Sequence, residues 1–178
     1  MKVFRRVFSS TALALAGLTV VLWANPVAPA PFPSSDFRHF FQSAADELGV
    51  PISLTQAIAQ VESAAYPYAL NIEGKAFSFA TKDEAIEAAR WTLAAGKSFD
   101  SGIMQINSQW INRFDLPLEA LFDPAANIYL GSWILGENIR QYPGWRAVAH
   151  YHSPNESQGQ TYPPVSRLAS SCPLSFAE

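Results

Sequence analysis

Sulfur and histidine are scarce in this sequence of 178 residues, which has one cysteine, two methionines and three histidines. Cys172 has no second cysteine with which to form an intrachain disulfide, so packing must supply the stability. The histidines, Cys172 and the scattered acids follow no metal-ligand spacing, and the sequence has no glycine-rich phosphate loop. We therefore expect no metal, redox or nucleotide cofactor.

Positive charge is also scarce beyond the first thirty positions. Those positions hold three of the twelve lysine and arginine residues and none of the fifteen acidic residues, which leaves residues 31–178 with a net charge of −6. A nucleic-acid partner is not expected for such an acidic chain.

The first thirty residues have the composition of a secretory leader. Three basic residues precede an uncharged run from Thr11 to Ala24 and a proline-rich stretch, 25–31, an order typical of a signal peptide. We predict that residues 1–30 direct the protein to the periplasm, with cleavage near Ala24 or after Ala30. Retention as an inner-membrane anchor is the alternative, although the apolar run is short for a membrane span.

Residues 31–154 carry mainly the apolar spacing of helices, which predicts one mainly α domain. The tail, 155–178, is rich in Ser, Pro, Gln and Gly, and we expect it to be flexible. Start and stop signals divide the domain into helices. These signals are the stripe from Phe37 to Leu48 closed by Gly49, the pattern from Leu54 to Val61, a Thr81/Glu84 capping box, the Asp123-Pro124 start of a long helix to about Gln141, and a short helix from Trp145 to Tyr151.

Two short runs, 68–72 and 75–79, flank the dipeptide Glu73-Gly74. A two-residue connection of this kind predicts a β-hairpin. An irregular loop is the alternative, because each run is short. The hairpin would lie beside the end of the preceding helix.

Glu62 lies at the end of that helix. The apolar residues from Leu54 to Val61 form one buried face, with Ser53 and Gln56 predicted as its capping box, and Glu62 falls on the flank of the face. Pro67 limits the helix, so Glu62 lies near its negative end. Partial burial and the helix dipole both disfavour a charged carboxylate there, as a general acid requires. The alternative is a solvated glutamate at a helix end.

A polar segment follows at residues 98–107. Gly102 indicates a close approach of the backbone to another element. The side-chain amides of Gln105 and Asn107 are suited to the hydroxyl and acetamido groups of a sugar. Taken alone, Met104 indicates a core position and Gln105 is equally consistent with the surface.

Four blocks of the sequence follow one another between roughly residues 36 and 154. They are Glu62-Ser63 with Pro67-Tyr68-Ala69, Gly102-Ile103-Met104-Gln105, Asn127 to Gly131, and Ala147 to Tyr151. In this order they resemble the lysozyme-like soluble lytic transglycosylase family. The hairpin between Tyr68 and Asp100, the Gln-Ile-Asn ending and the later Tyr-His-Ser-Pro most resemble the small specialised transglycosylases of conjugation, pilus and secretion machines.

The resemblance implies a lysozyme-like fold, mainly α with a small β-hairpin near the catalytic cleft, and peptidoglycan glycan strands as the substrate. It implies that Glu62 is the catalytic acid, that Ser63 steadies the site, and that Tyr151 hydrogen-bonds the acid. The predicted substrate-binding residues are Ser63, Met104, Gln105, Asn107 and Tyr151.

The sequence departs from the family at two places. Asn71 stands where a serine is usual, and His152-Ser153-Pro154 stands where Asn-Ala-Gly is common. The second departure affects what His152 contacts rather than the chemistry.

The implied reaction cleaves the MurNAc–GlcNAc β-1,4 bond and closes a 1,6-anhydroMurNAc ring, with Glu62 as the single acid. The resemblance also implies that envelope-spanning secretion or conjugation components are partners. A hydrolase of the goose-lysozyme kind is the first alternative. It needs a second carboxylate, for which Asp100 is the best candidate, although Asp100 is also suited to cap a turn. The second alternative is a glycan-binding assembly factor with little turnover, whose partner contacts lie in residues 155–178.

Overall fold

The structure is a computed structural model that describes residues 34–152, so the predicted signal peptide, the predicted tail and Cys172 lie outside the described residues. Six α-helices, two short 3-10 helices and four short strands make up this part of the chain. The α-helices are α1 (Arg38–Leu48), α2 (Ile52–Ser63), α3 (Lys82–Ala94), α4 (Gln109–Phe114), α5 (Pro124–Gln141) and α6 (Arg146–His152), and the 3-10 helices are Ser34–Phe37 and Leu118–Phe122.

Helices α1 and α2 are joined by a short loop, residues 49–51. Gly49 ends α1 in the left-handed conformation, at φ +68°, and its N–H donates to the carbonyl of Ala45. The predicted capping box of Ser53 and Gln56 is wrong, because α2 begins two residues earlier than that box requires, at Ile52, with Pro51 as its N-cap. Proline fixes the extended entry to the helix, and Ser53 is already inside the first turn.

The predicted hairpin is confirmed as β1 (Ala69–Ile72) and β2 (Lys75–Ser78). Two further strands, β3 (Asp100–Ser101) and β4 (Ile106–Asn107), extend it to an antiparallel sheet in the order β2-β1-β3-β4. The sequence did not predict β3 and β4, since two residues show no alternating pattern. The register sets Asp100 opposite Asn71 on one side and Asn107 on the other.

The predicted starts of two further helices, α3 and α5, are confirmed. Thr81 and Glu84 form the reciprocal capping box of α3, and Asp123 accepts a hydrogen bond from the N–H of Ala126 at the start of α5. Helix α5 packs against α1, α6 and the second 3-10 helix, and it contributes Ile128 and Leu135, both 0% exposed, to the core. The mainly α fold with a small sheet, as expected for a lysozyme-like domain, is confirmed.

Among residues 34–152, no helix combines the length and apolar character needed to cross a membrane.

Candidate active site

An open cleft of about 1100 Å³ lies between the sheet, the end of α2, and helices α4, α5 and α6. Of the residues predicted from the sequence, Glu62, Gln105, Asn107 and Tyr151 line it, as does Asp100. The chain therefore brings the predicted acid and most of the predicted substrate contacts to one surface.

Glu62 lies in the last turn of α2, on the flank of its buried face. Its side chain is 12% exposed, and its Oε1 lies 3.3 Å from Nδ1 of His152. The helix ends at once because Ala64 takes a left-handed conformation, at φ 54°. Sequence reasoning did not predict the contact with His152, which comes from α6, 90 residues further along the chain.

Ser63 ties the end of α2 to the loop beneath the cleft. Its hydroxyl donates to the carbonyl of Ile103 at 2.7 Å and accepts from the N–H of Tyr66 at 3.1 Å. Ser63 does not line the cleft. These two hydrogen bonds join the turn of α2 that carries Glu62 to the loop and to Tyr66.

Asn127 holds the other side of that loop. Its Oδ1 accepts from the N–H of Met104 at 2.7 Å, and its Nδ2 donates to the carbonyls of Ser101 at 3.0 Å and Leu121 at 2.8 Å. A Cβ on Gly102, which has φ +74°, would lie 2.4 Å from Nδ2 of Asn127. The close approach predicted for Gly102 is therefore confirmed, and only glycine fits there.

The role of Asn127 was missed in the sequence, although it begins one of the four blocks. An asparagine among the apolar residues of a helix is the signal that could have been used, because a buried amide must find partners for its donors and acceptor. Asn127 is in fact only 1% exposed.

Met104 and Tyr151 meet at Gly131 of α5. The Tyr151 hydroxyl donates to the carbonyl of Met104 at 2.8 Å. A Cβ on Gly131 would lie 2.6 Å from Cβ of Met104 and 2.8 Å from Oη of Tyr151. Met104 is 0% exposed and lies beneath the cleft rather than in its lining. The carbonyl of Met104 accepts the Tyr151 proton, and a hydroxyl oxygen that donates in this way can also accept a hydrogen bond.

Asp100 lies on strand β3 with its carboxylate toward the cleft, rather than as the cap of a turn. It accepts a hydrogen bond from Nδ2 of Asn107 at 2.8 Å. Burial raises the pKa of the Asp100 carboxyl, and the nearby charge of Glu62 raises it further, against the opposing effects of Asn107 and His152. Asp100 therefore favours its protonated form more than an ordinary aspartate does, and it shares the cleft with the carboxyl groups of Glu62 and Glu137.

The amides of Gln105 and Asn107 are already engaged inside the protein. Nε2 of Gln105 donates to the carbonyl of Gly102 at 2.9 Å, and Oδ1 of Asn107 accepts from the N–H of Gln109 at 3.0 Å. Both side chains line the cleft, and each amide has a further N–H and oxygen lone pairs with which it can bind a ligand. Gln105 itself has a positive φ of 46°, which turns its side chain within the loop.

Comparison with known proteins gives matches to one family. The family model described as Transglycosylase SLT domain matches residues 39–161. Type IV secretion system protein virB1 of Brucella suis biovar 1 (strain 1330) is 36% identical over 87 residues, which cover 48% of this chain and 37% of that protein. Protein virB1 of Rhizobium radiobacter is 32% identical over 139 residues, which cover 72% of this chain and 57% of that protein.

The match thus spans little more than a third of the Brucella relative and just over half of the Rhizobium one. No solved structure matches the chain significantly. The family model nevertheless covers well over half of the sequence and contains every residue of the cleft described above. The chain belongs to the transglycosylase SLT domain family.

Proposed function

We propose that this protein is a lytic transglycosylase that cleaves the MurNAc–GlcNAc β-1,4 bond of peptidoglycan in the periplasm and forms 1,6-anhydroMurNAc. The observation that carries the proposal is the position of Glu62, an acid with a 12% exposed side chain at the wall of an open cleft. Membership of the SLT family supports the substrate class. The predicted leader supports export from the cytoplasm.

The cleavage needs one acid that can give up a proton and take one back. Protonated Glu62 donates to the glycosidic oxygen as the bond from that oxygen to the anomeric carbon breaks. The acetamido group of the substrate stabilises the sugar cation. The Glu62 carboxylate then removes the proton of the 6-hydroxyl, and that oxygen bonds to the anomeric carbon. Glu62 ends protonated, and no water is consumed.

The surroundings of Glu62 support this cycle. Tyr151 lines the same cleft as Glu62, and its hydroxyl donates to the Met104 carbonyl, so its oxygen is suited to accept a hydrogen bond from a protonated acid. His152 contacts Oε1 of Glu62 and can partner the carboxylate when the proton has left.

Release of soluble fragments from purified peptidoglycan tests the proposal. Glu62→Gln keeps the shape of the side chain but cannot transfer a proton, and we expect it to lose about 100-fold or more of the rate. Glu87→Gln, on the exposed face of α3, is the matched control and should retain full activity. An active, folded Glu62→Gln protein would contradict the assignment of the acid.

Hydrolysis is the second candidate, and the position of Asp100 in the same cleft favours it. Burial raises the pKa of Asp100. The ionised carboxylate is therefore a stronger base than an ordinary aspartate, and hydrolysis needs a base to activate the water. Asp100→Asn separates the two reactions. Unchanged cleavage and unchanged anhydro products would remove the basis for hydrolysis, whereas loss of products with free reducing ends would support it.

The relatives named for type IV secretion suggest the biological setting. We infer that the protein opens the cell wall locally for a secretion or conjugation machine. Glu62→Gln also tests this, because a protein that acts only by binding glycan or partners would still support assembly of the machine in cells. Loss of assembly with normal protein levels would instead indicate that turnover is required.

A further inference from the structure

The part of the cleft wall that α4 and α5 build carries a group of aromatic rings. Trp110 and Phe114 of α4 are stacked with centroids 5.3 Å apart, and both meet Trp133 of α5 edge-on, at 6.0 and 5.3 Å. Trp110 and Trp133 line the cleft together with Glu62. Because each ring is held by two others, the indole surfaces have a fixed orientation.

Arg113 lies on this ring group. The central carbon of its guanidinium is 4.7 Å from the centre of a Trp110 ring and 5.9 Å from that of Phe114. It is the only lysine or arginine among the described residues that line the cleft. Within residues 34–152 no carboxylate pairs with Arg113, whereas Arg90 and Arg140, both outside the lining, each pair with a glutamate.

An arginine stacked on an indole keeps the edge of its guanidinium open. That edge presents N–H donors in a fork that fits a carboxylate, and the stacking reduces the freedom lost when the carboxylate binds. The other charged groups that line the cleft are the acids Glu62, Asp100 and Glu137, apart from histidine. A single fixed cation in an acidic cleft indicates a negative group on the ligand.

We propose that Arg113 binds a carboxylate carried by the glycan, while the indole surfaces of Trp110 and Trp133 pack against a sugar ring of the same strand. This assignment rests on the proposed function and makes the substrate class narrower. Two substituents of muramic acid supply the required chemistry. One is the peptide attached to its lactyl group, and the other is the lactyl carboxylate itself where the peptide has been removed.

A purely structural role for Arg113 makes a different prediction. Arg113 lies in the last turn of α4, where a cation is favoured by the helix dipole. A residue with that role alone would affect stability, and it would not distinguish between ligands that carry a carboxylate and ligands that do not.

The test is calorimetric binding to the full-length Glu62→Gln protein, which binds without turnover. The probes are a chitin oligosaccharide without carboxylates, peptide-free glycan strands and peptide-bearing glycan strands. We expect the added change Arg113→Gln to weaken binding of at least one carboxylate-bearing strand by about fivefold and to leave the chitin oligosaccharide unchanged. Arg113→Lys should weaken the binding of that strand less than Arg113→Gln does, because lysine keeps the positive charge although it lacks the forked N–H donors of the guanidinium.

Arg90→Gln on α3 removes a cation outside the cleft and is the matched control. A loss confined to peptide-bearing strands assigns the peptide carboxylate, and a loss confined to peptide-free strands assigns the lactyl group. Equal effects on all three probes, or none, would overturn the role of Arg113 while leaving the glycan cleft intact. If the Glu62→Gln parent bound none of the probes, the proposed function would fail, and the Arg113 assignment with it.

Discussion

The loop at residues 101–105 beneath the cleft and the Glu62–His152 pair at its wall are held in different ways. The loop is almost wholly buried, and its backbone groups bond to Asn127, Ser63 and the Tyr151 hydroxyl. In the pair, the side chains of Glu62 and His152, which are 12% and 43% exposed, lie 3.3 Å apart at the edge of the cleft. The loop fixes geometry, and the pair lies where a proton can be exchanged with a bound substrate.

This difference follows from what each part must do. A general acid has to change its charge twice in each cycle, so its partners must tolerate both states. The buried loop that positions the acid keeps the same hydrogen bonds throughout the cycle. These bonds stabilise the fold, because a buried polar group without a partner costs free energy. Substitutions in the loop should therefore act on stability, and those in the pair on the rate of cleavage.

The largest effect on stability is expected for Asn127→Ala. The change leaves the N–H of Met104 and the carbonyls of Ser101 and Leu121 without their partner. We expect the free energy of unfolding to fall by about 3 kcal/mol, measured by urea denaturation. Asn112→Ala, on the exposed side of α4, should change it by less than about 0.5 kcal/mol. If the two variants had similar free energies of unfolding, the loop would not be held by the hydrogen bonds of Asn127, and it would not differ from the pair in this way.

Gly131→Ala should have the next largest effect, since its Cβ would lie 2.6 Å from Cβ of Met104. Overpacking of this kind costs about 1–3 kcal/mol, and the shift of Met104 and Tyr151 should also slow cleavage. Gly136→Ala on the same helix is the control, because the nearest atom to its Cβ would be Cγ2 of Val50 at 3.1 Å, which is farther than the 2.6 Å found at Gly131. Thermal unfolding of both variants measures the difference, and a Gly131→Ala protein as stable as Gly136→Ala would contradict the close packing.

The elements that the sequence predicted correctly are those whose signals are local. Capping residues and apolar spacing located α3 and α5, and the two-residue connection located the hairpin. Strands β3 and β4 were missed because each exists only through its pairing with a distant neighbour.

The candidate site divides in the same way. Glu62 could be placed on the flank of its helix from the spacing of its neighbours. The contacts of Asn127 with the loop, and of His152 with Glu62, join residues that are 23 and 90 positions apart. Such pairs are set by packing between helices, which no local pattern in one sequence records.

His152→Asn should slow cleavage by about two- to tenfold, because it removes the imidazole whose Nδ1 lies 3.3 Å from Oε1 of Glu62. The initial rate of fragment release from purified peptidoglycan measures the change. A folded variant that cleaves as fast as the native protein would show that the contact with His152 does not contribute to the reaction.

Asp100→Asn should have the smallest effect on stability, and the effect should be seen only above acidic pH. Because burial raises the pKa of Asp100, the folded state binds its proton more tightly than the unfolded chain does. Its ionisation therefore lowers stability as the pH rises above the ordinary aspartate pKa of about 3.9. The variant cannot ionise, so its Tm at neutral pH should be higher by about 2 °C. Below the ordinary aspartate pKa the two proteins should unfold alike, and a gain that persisted there would contradict this cause.

Mass spectrometry of the products released from purified peptidoglycan tests the central claim most directly, with Glu62→Gln alongside. The proposed reaction predicts muropeptides one water lighter than hydrolysis products, released by the native protein and absent with Glu62→Gln. Products that end in a free reducing sugar would contradict it, and would transfer the chemistry to a water activated by Asp100.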